Sequence, residues 1–401
     1  MATGGAVIRR VSLGVLSLAV LLIAVLVANT LLISDRRSEP VRQVDVPVLD
    51  AGAPNRLAAA ITFETVSPAD PSLRAPGPFL AFQAFLERAF PRVHETMART
   101  RVGELSLLYE WPGTDAEAKP VLFLAHQDVV PVADAQAWTQ PPFAGRVADG
   151  FVWGRGAMDD KSSLLGWLEA SERLLANGFR PARTVYLAFG HDEETGGRGA
   201  QAIADHLEAR GVHLAFVLDE GGFIGRGLLG GIEAPVALVG IAEKGYLTVE
   251  VTAEEAGGHS SRPPPETAIG IVGKAVVRLE EHPFPGRLDG AAEALLDRLA
   301  PELPFSQRLV IANRWLLEPV LVSVLERNQN LAPLVRTTTA VTMFHAGEKD
   351  NVLARQARAV VNLRILPGES VDGTLERIRR IIGDPRVRLR PAAAIGPAPV
   401  S

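Results

Sequence analysis

The chain of 401 residues contains no cysteine. That excludes disulfide frameworks, thiolate zinc sites and a cysteine nucleophile, so any metal must be held by His and carboxylate. Basic clusters are lacking too, beyond scattered arginine pairs. The balance of 41 basic against 46 acidic residues, −5 overall, gives a nucleic-acid surface no electrostatic support, and nucleic acid is excluded as a partner. There is no internal repeat, and low complexity is confined to the Ala/Pro-rich final ten residues. What is present, 47% hydrophobic and 22% charged with 6% aromatic, fits a globular chain of two or three domains with a sizeable core rather than a fibrous or disordered one.

A location signal stands at the start. Val11 to Ile33 is 23 residues without a charge, preceded by Arg9 and Arg10. As a helix it is long enough to cross roughly 30 Å of hydrocarbon. A cleaved signal peptide is the alternative, but the apolar block exceeds the usual h-region of about 7 to 15 residues and lacks a clear A-x-A site. The expectation is therefore an uncleaved single-pass anchor over 1–37 with the bulk of the chain outside the cytoplasm. Arg36 and Arg37 on the far side blunt that orientation. A polar, Pro-containing tether is expected over 38–56.

Beyond the tether, strand-like and helix-like segments alternate. Val121 to Ala125 is an apolar run ending at His126. Ser162 to Asn177 has helical periodicity with Gly178 as its stop. Thr184 to Gly190, Gly199 to Arg210 and Leu214 to Leu218 then read as strand, helix, strand. This predicts an α/β catalytic domain over 57–239, a parallel or mixed sheet flanked by helices. From about Gly240 the pattern changes to Tyr246 to Ala253 as a half-exposed strand, Glu266 to Glu281 as a helix, and Arg358 to Ile365 then Val371 to Ile382 as strand and helix. A smaller α+β domain is expected over 240–390. Leu309 to Ile311 and Trp315 to Leu325 inside it read as helices that pack over the active site or line an acyl-chain groove, with core packing the main role for most of their residues.

Open α/β sheets bind at the carboxyl ends of their strands, where loops escape the packed helices. Three such ends carry acid or imidazole groups: His126-Gln127-Asp128, His191-Asp192-Glu193-Glu194 and Asp219-Glu220. The loop Gly154-Arg155-Gly156-Ala157-Met158-Asp159-Asp160-Lys161, which opens the Ser162 helix, offers another carboxylate. Each has an ordinary explanation: a satisfied histidine, a solvated loop, a helix N-cap. Together they would crowd like charges at one edge unless cations compensate them, which suits zinc or another borderline divalent ion.

His126-x-Asp128-Val129-Val130-Pro131, Pro141-Pro142-Phe143, Gly154-Arg155-Gly156-x-x-Asp159-Asp160-Lys161, His191-Asp192-Glu193-Glu194-x-Gly196-Gly197 and Asp219-Glu220-Gly221, in this order, resemble the M20 metallopeptidase and aminoacylase family. The resemblance is to the branch of carboxypeptidase S and of peptidase M20 domain-containing protein 1, an N-acyl-amino-acid hydrolase/synthase. It runs from about Phe63 to the last residue and includes Gly257-Gly258-His259-Ser260-Ser261. It implies a zinc-peptidase-like domain with an inserted lid of the dimerisation type, two zinc ions (or other divalent ions such as cobalt or manganese), and hydrolysis of N-acyl amino acids or C-terminal peptide bonds. By this resemblance His126 and Glu220 serve one metal, Asp159 bridges two, and Glu194 completes the other, with Asp219 in place of Glu220 if the strand register differs. Asp128 fixes the His126 tautomer, Glu193 is the general base, and the Asp159-Asp160 peptide is cis. In the lid, His259 stabilises an oxyanion, in relatives often across a dimer interface. Asn351 and Arg364 grip the substrate carboxylate, although Ala354 stands where the family has proline.

The resemblance also implies a final metal-binding His in a returning catalytic segment. The chain stops at Ser401, with 391–401 expected to begin that segment. The expectation is therefore either a fragment or an under-liganded second metal, and a non-catalytic protein on the same scaffold is the rival to the hydrolase.

Overall fold

The computed structural model describes residues 3–34, 50–222, 224–227 and 232–401. The expected tether falls mostly outside them. Its end does not: Ala53–Ile61 is a helix, with Pro54 in its first turn where no N–H is needed, and Ala58, Ala60 and Ile61 buried. The chain forms two compact units, 43–221 and 222–401 together with 1–42. The second includes helix α1 (Thr3–Ser34).

In the first unit, α2 (Ala53–Ile61) and α3 (Pro76–Ala89) precede strands β1 (Ala98–Val102), β2 (Ser106–Trp111) and β3 (Val121–His126). Then come α4 (Lys161–Ala176), β4 (Val185–Gly190), α5 (Arg198–Ala209) and β5 (Phe216–Leu218). The sheet order is β1-β2-β4-β3-β5. β3 lies parallel to β4 and β5, as helical crossovers require, whereas β1 and β2 form an antiparallel hairpin that pairs with β4. Period-two alternation divides the side chains between two cores. Leu107, Tyr109, Leu187 and Phe189 pack with Phe82, Leu86, Leu164 and Leu168 on one face, and Leu108, Leu122, Tyr186 and Ala188 with Ile203 and Leu207 of α5 on the other.

The second unit is built on an antiparallel sheet of β6 (Gly245–Glu254), β7 (Thr338–Ala346), β8 (Gln356–Ile365) and β9 (Arg388–Ile395), ordered β7-β8-β6-β9. Along β6, buried and half-buried residues alternate. Its buried side meets α6 (Ala268–Glu281) and a later helix, Val371–Ile382. β9 corrects the boundary expected at 390: Pro391 to Ile395 pair with Val249 to Tyr246, so the start of the expected returning segment is an edge strand of the lid sheet. A satellite core gathers α7 (Gly290–Leu299), α8 (Phe305–Ala312) and α9 (Arg314–Arg327) around Ile311, Leu321, Leu325 and Val335. The helix Val371–Ile382 is α10.

Candidate metal centre

Register places the site. His126 pairs with Gly190 across β3 and β4, so the two strands end level and the loops after both open on the same edge. On the other side Leu218 of β5 pairs with Phe123, which brings Asp219-Glu220 alongside the last turn of β3. Asp159 arrives through the glycine-rich loop, and the Asp159-Asp160 peptide is cis.

His126 is the hub and is almost fully buried, 2% exposed. Its Nδ1 lies 2.9 Å from the Asp128 carbonyl oxygen and 3.3 Å from the Asp128 carboxylate. Occupied there, the ring offers only Nε2 to the cluster. Nε2 is 2.9 Å from Asp159 Oδ1, 3.3 Å from Glu220 Oε1 and 4.0 Å from Glu193 Oε2. Two donor sets result, His126–Glu193–Glu220 and His126–Asp159–Glu194, each with ligand atoms within 4.8 Å of one another. One imidazole facing four carboxylates, without a thiol, is a donor set that fits zinc or a harder divalent ion. Asp219 is in neither set. Its carboxylate accepts the Glu220 backbone N–H at 2.9 Å, so Glu220 is the residue that faces His126.

Electrostatics mark the same cluster. Burial alone would lower the His126 pKa, but hydrogen bonds and charge from Asp128 and Glu220 outweigh it and push the imidazole up to about 12. Burial, with Glu220 and Glu194 adding to it against His126, raises Glu193 to about 7. Burial and then Asp159 raise Glu194, and burial and Glu220 raise Asp219. Burial likewise lifts Asp160 to about 7. Asp128 goes the other way: burial opposes its charge, yet hydrogen bonds with His126 and Ser67 keep its carboxyl below the usual range.

These shifts fix a pH dependence. Carboxyls whose folded pKa lies above the unfolded value contribute stability that is complete below about pH 4 and lost as pH rises through about 7. Between pH 5 and pH 7.5 metal-free Glu193→Gln should therefore lose less melting temperature, or gain more, than the metal-free parent. Calorimetry of chelator-treated protein at the two pH values measures it; an identical difference in the variant would show that Glu193 titrates normally.

Several functional contacts escape sequence reasoning. Asp128 does more than face His126: its two carboxylate oxygens accept the backbone N–H groups of Glu193 and Glu194 at 3.1 and 3.2 Å, aiming both glutamates from one buried side chain. Asp160 occupies the N-cap position of α4 without a side-chain capping bond. Its Oδ2 accepts the His126 backbone N–H at 3.2 Å, and its Oδ1 is buried without a hydrogen-bond partner among the described residues. Lys161 is wholly buried, its Nζ donating to the carbonyls of Ala60 at 3.0 Å and Phe63 at 2.6 Å, and burial drives its pKa down to about 7. Its position gives a signal: Lys161 starts the apolar stripe Leu164, Leu165, Leu168 at i, i+3, i+4, i+7, where a cation is out of place. Gly199 is required by close approach, since a Cβ there would strike Ser106 Oγ and His191 Nδ1.

The remaining candidates lie in the other unit. Gly258–His259 pairs with Val352–Leu353, and the Ser260 N–H donates to the Asn351 carbonyl at 3.1 Å, so His259 and Asn351 are neighbours. His259 Nδ1 lies 2.9 Å from Ser261 Oγ. Arg364 is elsewhere. It pairs with Tyr246 at the far end of β8 and lies over the Tyr246 ring at 4.8 Å. From Gln356 to Arg364 the strand extends roughly 26 Å at about 3.3 Å per residue. Within one chain, Asn351 and Arg364 therefore lie toward opposite ends of this segment.

The pattern of Peptidase family M20/M25/M40 matches residues 122–318. "Probable carboxypeptidase S-like 2" of Dictyostelium discoideum is 41% identical over 352 residues, covering 86% of this chain and 68% of the relative. The chain belongs to the M20 peptidase family. Its human relative "N-fatty-acyl-amino acid synthase/hydrolase PM20D1" is 42% identical over 323 residues, 80% of this chain and 64% of the relative. The chain thus spans less than two thirds of the length of that M20 protein. Among solved structures, the M20 family metallo-carboxypeptidase Sso-CP2 from Sulfolobus solfataricus aligns with a TM-score of 0.56 at 18% identity, over 86% of this chain and 79% of its own, a likeness of fold.

Proposed function

We propose that the chain carries the metal centre of a membrane-anchored amidohydrolase that cleaves the amide of N-acyl amino acids or C-terminal peptide bonds. The observation that carries this reading is the convergence of His126 Nε2 with Asp159, Glu193, Glu194 and Glu220 at the ends of neighbouring strands. The names of the carboxypeptidase S-like and fatty-acyl-amino-acid relatives support the substrate class.

His126, Asp159, Glu194 and Glu220 would hold two divalent ions, zinc in this reading. When bound, such ions supply Lewis acidity and a more acidic water. The protein's own residues do the rest. Glu193 takes a proton from the attacking water and returns it to the leaving amine. Beside the cluster and free of the metal ligand role in this reading, it is placed to carry a proton in both directions. Asp128 holds the His126 ring by Nδ1 and aims the Glu193–Glu194 turn. His259, in the lid, would stabilise the developing oxyanion, from this chain or from a second copy paired through its lid. Arg364 and Asn351 would grip the substrate carboxylate, with Asn351, the neighbour of His259, coming from the same copy as that histidine. The Ser12–Ile33 stretch, 22 residues of mean hydropathy 2.7, would serve as the anchor.

Zinc-reconstituted protein incubated with an N-acyl amino acid should release free amine, and chelation should abolish the release reversibly. Binding of zinc without any release across acyl and peptide substrates would favour the non-catalytic scaffold.

A further inference from the structure

Helix α1 does not leave the lid unit as a free stalk. Its last turns are clasped by Asn313, a side chain with no exposure at the junction of α8 and α9. The Asn313 amide donates to the Leu26 carbonyl at 3.0 Å and accepts from Asn29 Nδ2 at 3.0 Å, while Thr30, also fully buried, donates to Leu26 at 2.6 Å. Ile33 packs on the satellite core. By contrast, only 6% of the most apolar window of α1 is covered by protein.

The start of α9 carries an apolar face that nothing covers among the described residues. Trp315, Leu316, Val320 and Val324 are 62%, 43%, 55% and 59% exposed, whereas Leu321 and Leu325 turn into the core. Leu316, Val320 and Val324 recur every four residues and form one stripe. A cleft of about 680 Å³ between α1 and the helical insert has Leu32, Ile33 and Trp315 on its walls together with the charged Asp297, Arg298, Glu302 and Arg314, a mixed lining of the kind that meets lipid headgroups. Depth agrees. Asn29, which Asn313 grips, lies four residues before the end of the apolar stretch, roughly 6 Å along the helix. Amphipathic helices at a bilayer surface bury their apolar face about 5–10 Å into the headgroup–acyl boundary, and Trp favours that level.

We propose that the exposed face of α9 lies in the headgroup–acyl boundary of the same bilayer that holds α1, so that the lid unit rides on the lipid surface. The proposal rests on the anchor reading. The anchor enters hydrocarbon, the Asn313 clasp holds the start of α9 at the level where it emerges, and Trp315 and Leu316 meet the boundary there. Val320 and Val324 extend the contact along the helix.

The absence of cysteine makes a test direct, because one introduced thiol is unique. Full-length Leu316→Cys and Val320→Cys, and Glu376→Cys on exposed α10 as a control, are labelled with a polarity-sensitive fluorophore and reconstituted in phosphatidylcholine vesicles. The expected result is flotation of all three with the vesicles, with blue-shifted emission at 316 and 320 that brominated acyl chains quench. The label at 376 should stay aqueous. Flotation with 316 and 320 behaving like 376 would overturn the inference and leave the anchor standing. Labels shielded from aqueous iodide but insensitive to brominated lipid would overturn it in favour of a protein surface, such as a second copy. Failure to float would remove the anchor reading and this inference with it.

Discussion

Glu193→Gln is expected to lower turnover of an N-acyl amino acid by about 10²–10⁴ while bound metal and melting temperature stay near those of the parent. Gln keeps the size and the backbone N–H that donates to Asp128 Oδ1, but it cannot accept a proton from water. The adjacent Glu194 is not expected to substitute, because in the proposed reading it holds metal and its backbone is tied to the other Asp128 oxygen. Steady-state rates together with metal analysis decide the matter. Unchanged turnover would return Glu193 to the status of a solvated acid; lost metal would make it a ligand.

The second large effect is expected from His126→Ala. Both donor sets share His126, and removing it leaves four carboxylates facing one another with no neutral donor among them. Losing an outer-shell partner of a metal site already costs about 10–100-fold in affinity, so loss of this central ligand should weaken at least one ion by about 100-fold or more. Competition titration against a chromophoric chelator measures it, and parent-like affinity for every ion would place the metal elsewhere.

Much of this site is legible in the chain because parallel α/β architecture sends strand ends to one edge. An apolar run that stops at His126, another at Gly190 and another at Leu218 each mark where polar residues emerge. Three things were not legible. The β1–β2 hairpin adds two antiparallel strands whose sequences, ARTRV and SLLYEW, do not reveal that they extend this sheet. The extent of the lid sheet was hidden because Pro391-Ala-Ala-Ala looks like low complexity, yet it pairs with β6 as an edge strand, where a missing N–H is tolerated. The separation of Asn351 from Arg364 within one chain was hidden because spacing alone does not say whether thirteen residues run straight or turn.

By itself the sequence determined the donor chemistry: without cysteine, only imidazole and carboxylate were available, and their placement after apolar runs put them at strand ends. Tertiary structure alone decided which of these groups face His126. That choice depends on register between strands whose paired residues lie 64 and 95 positions apart, on the buried Asp128 that orients two glutamates at once, and on packing that leaves the α9 stripe exposed beside α1. Side chains distant along a chain meet only when backbone pairing and core packing fix the distances between the elements that carry them, and no local pattern contains those distances.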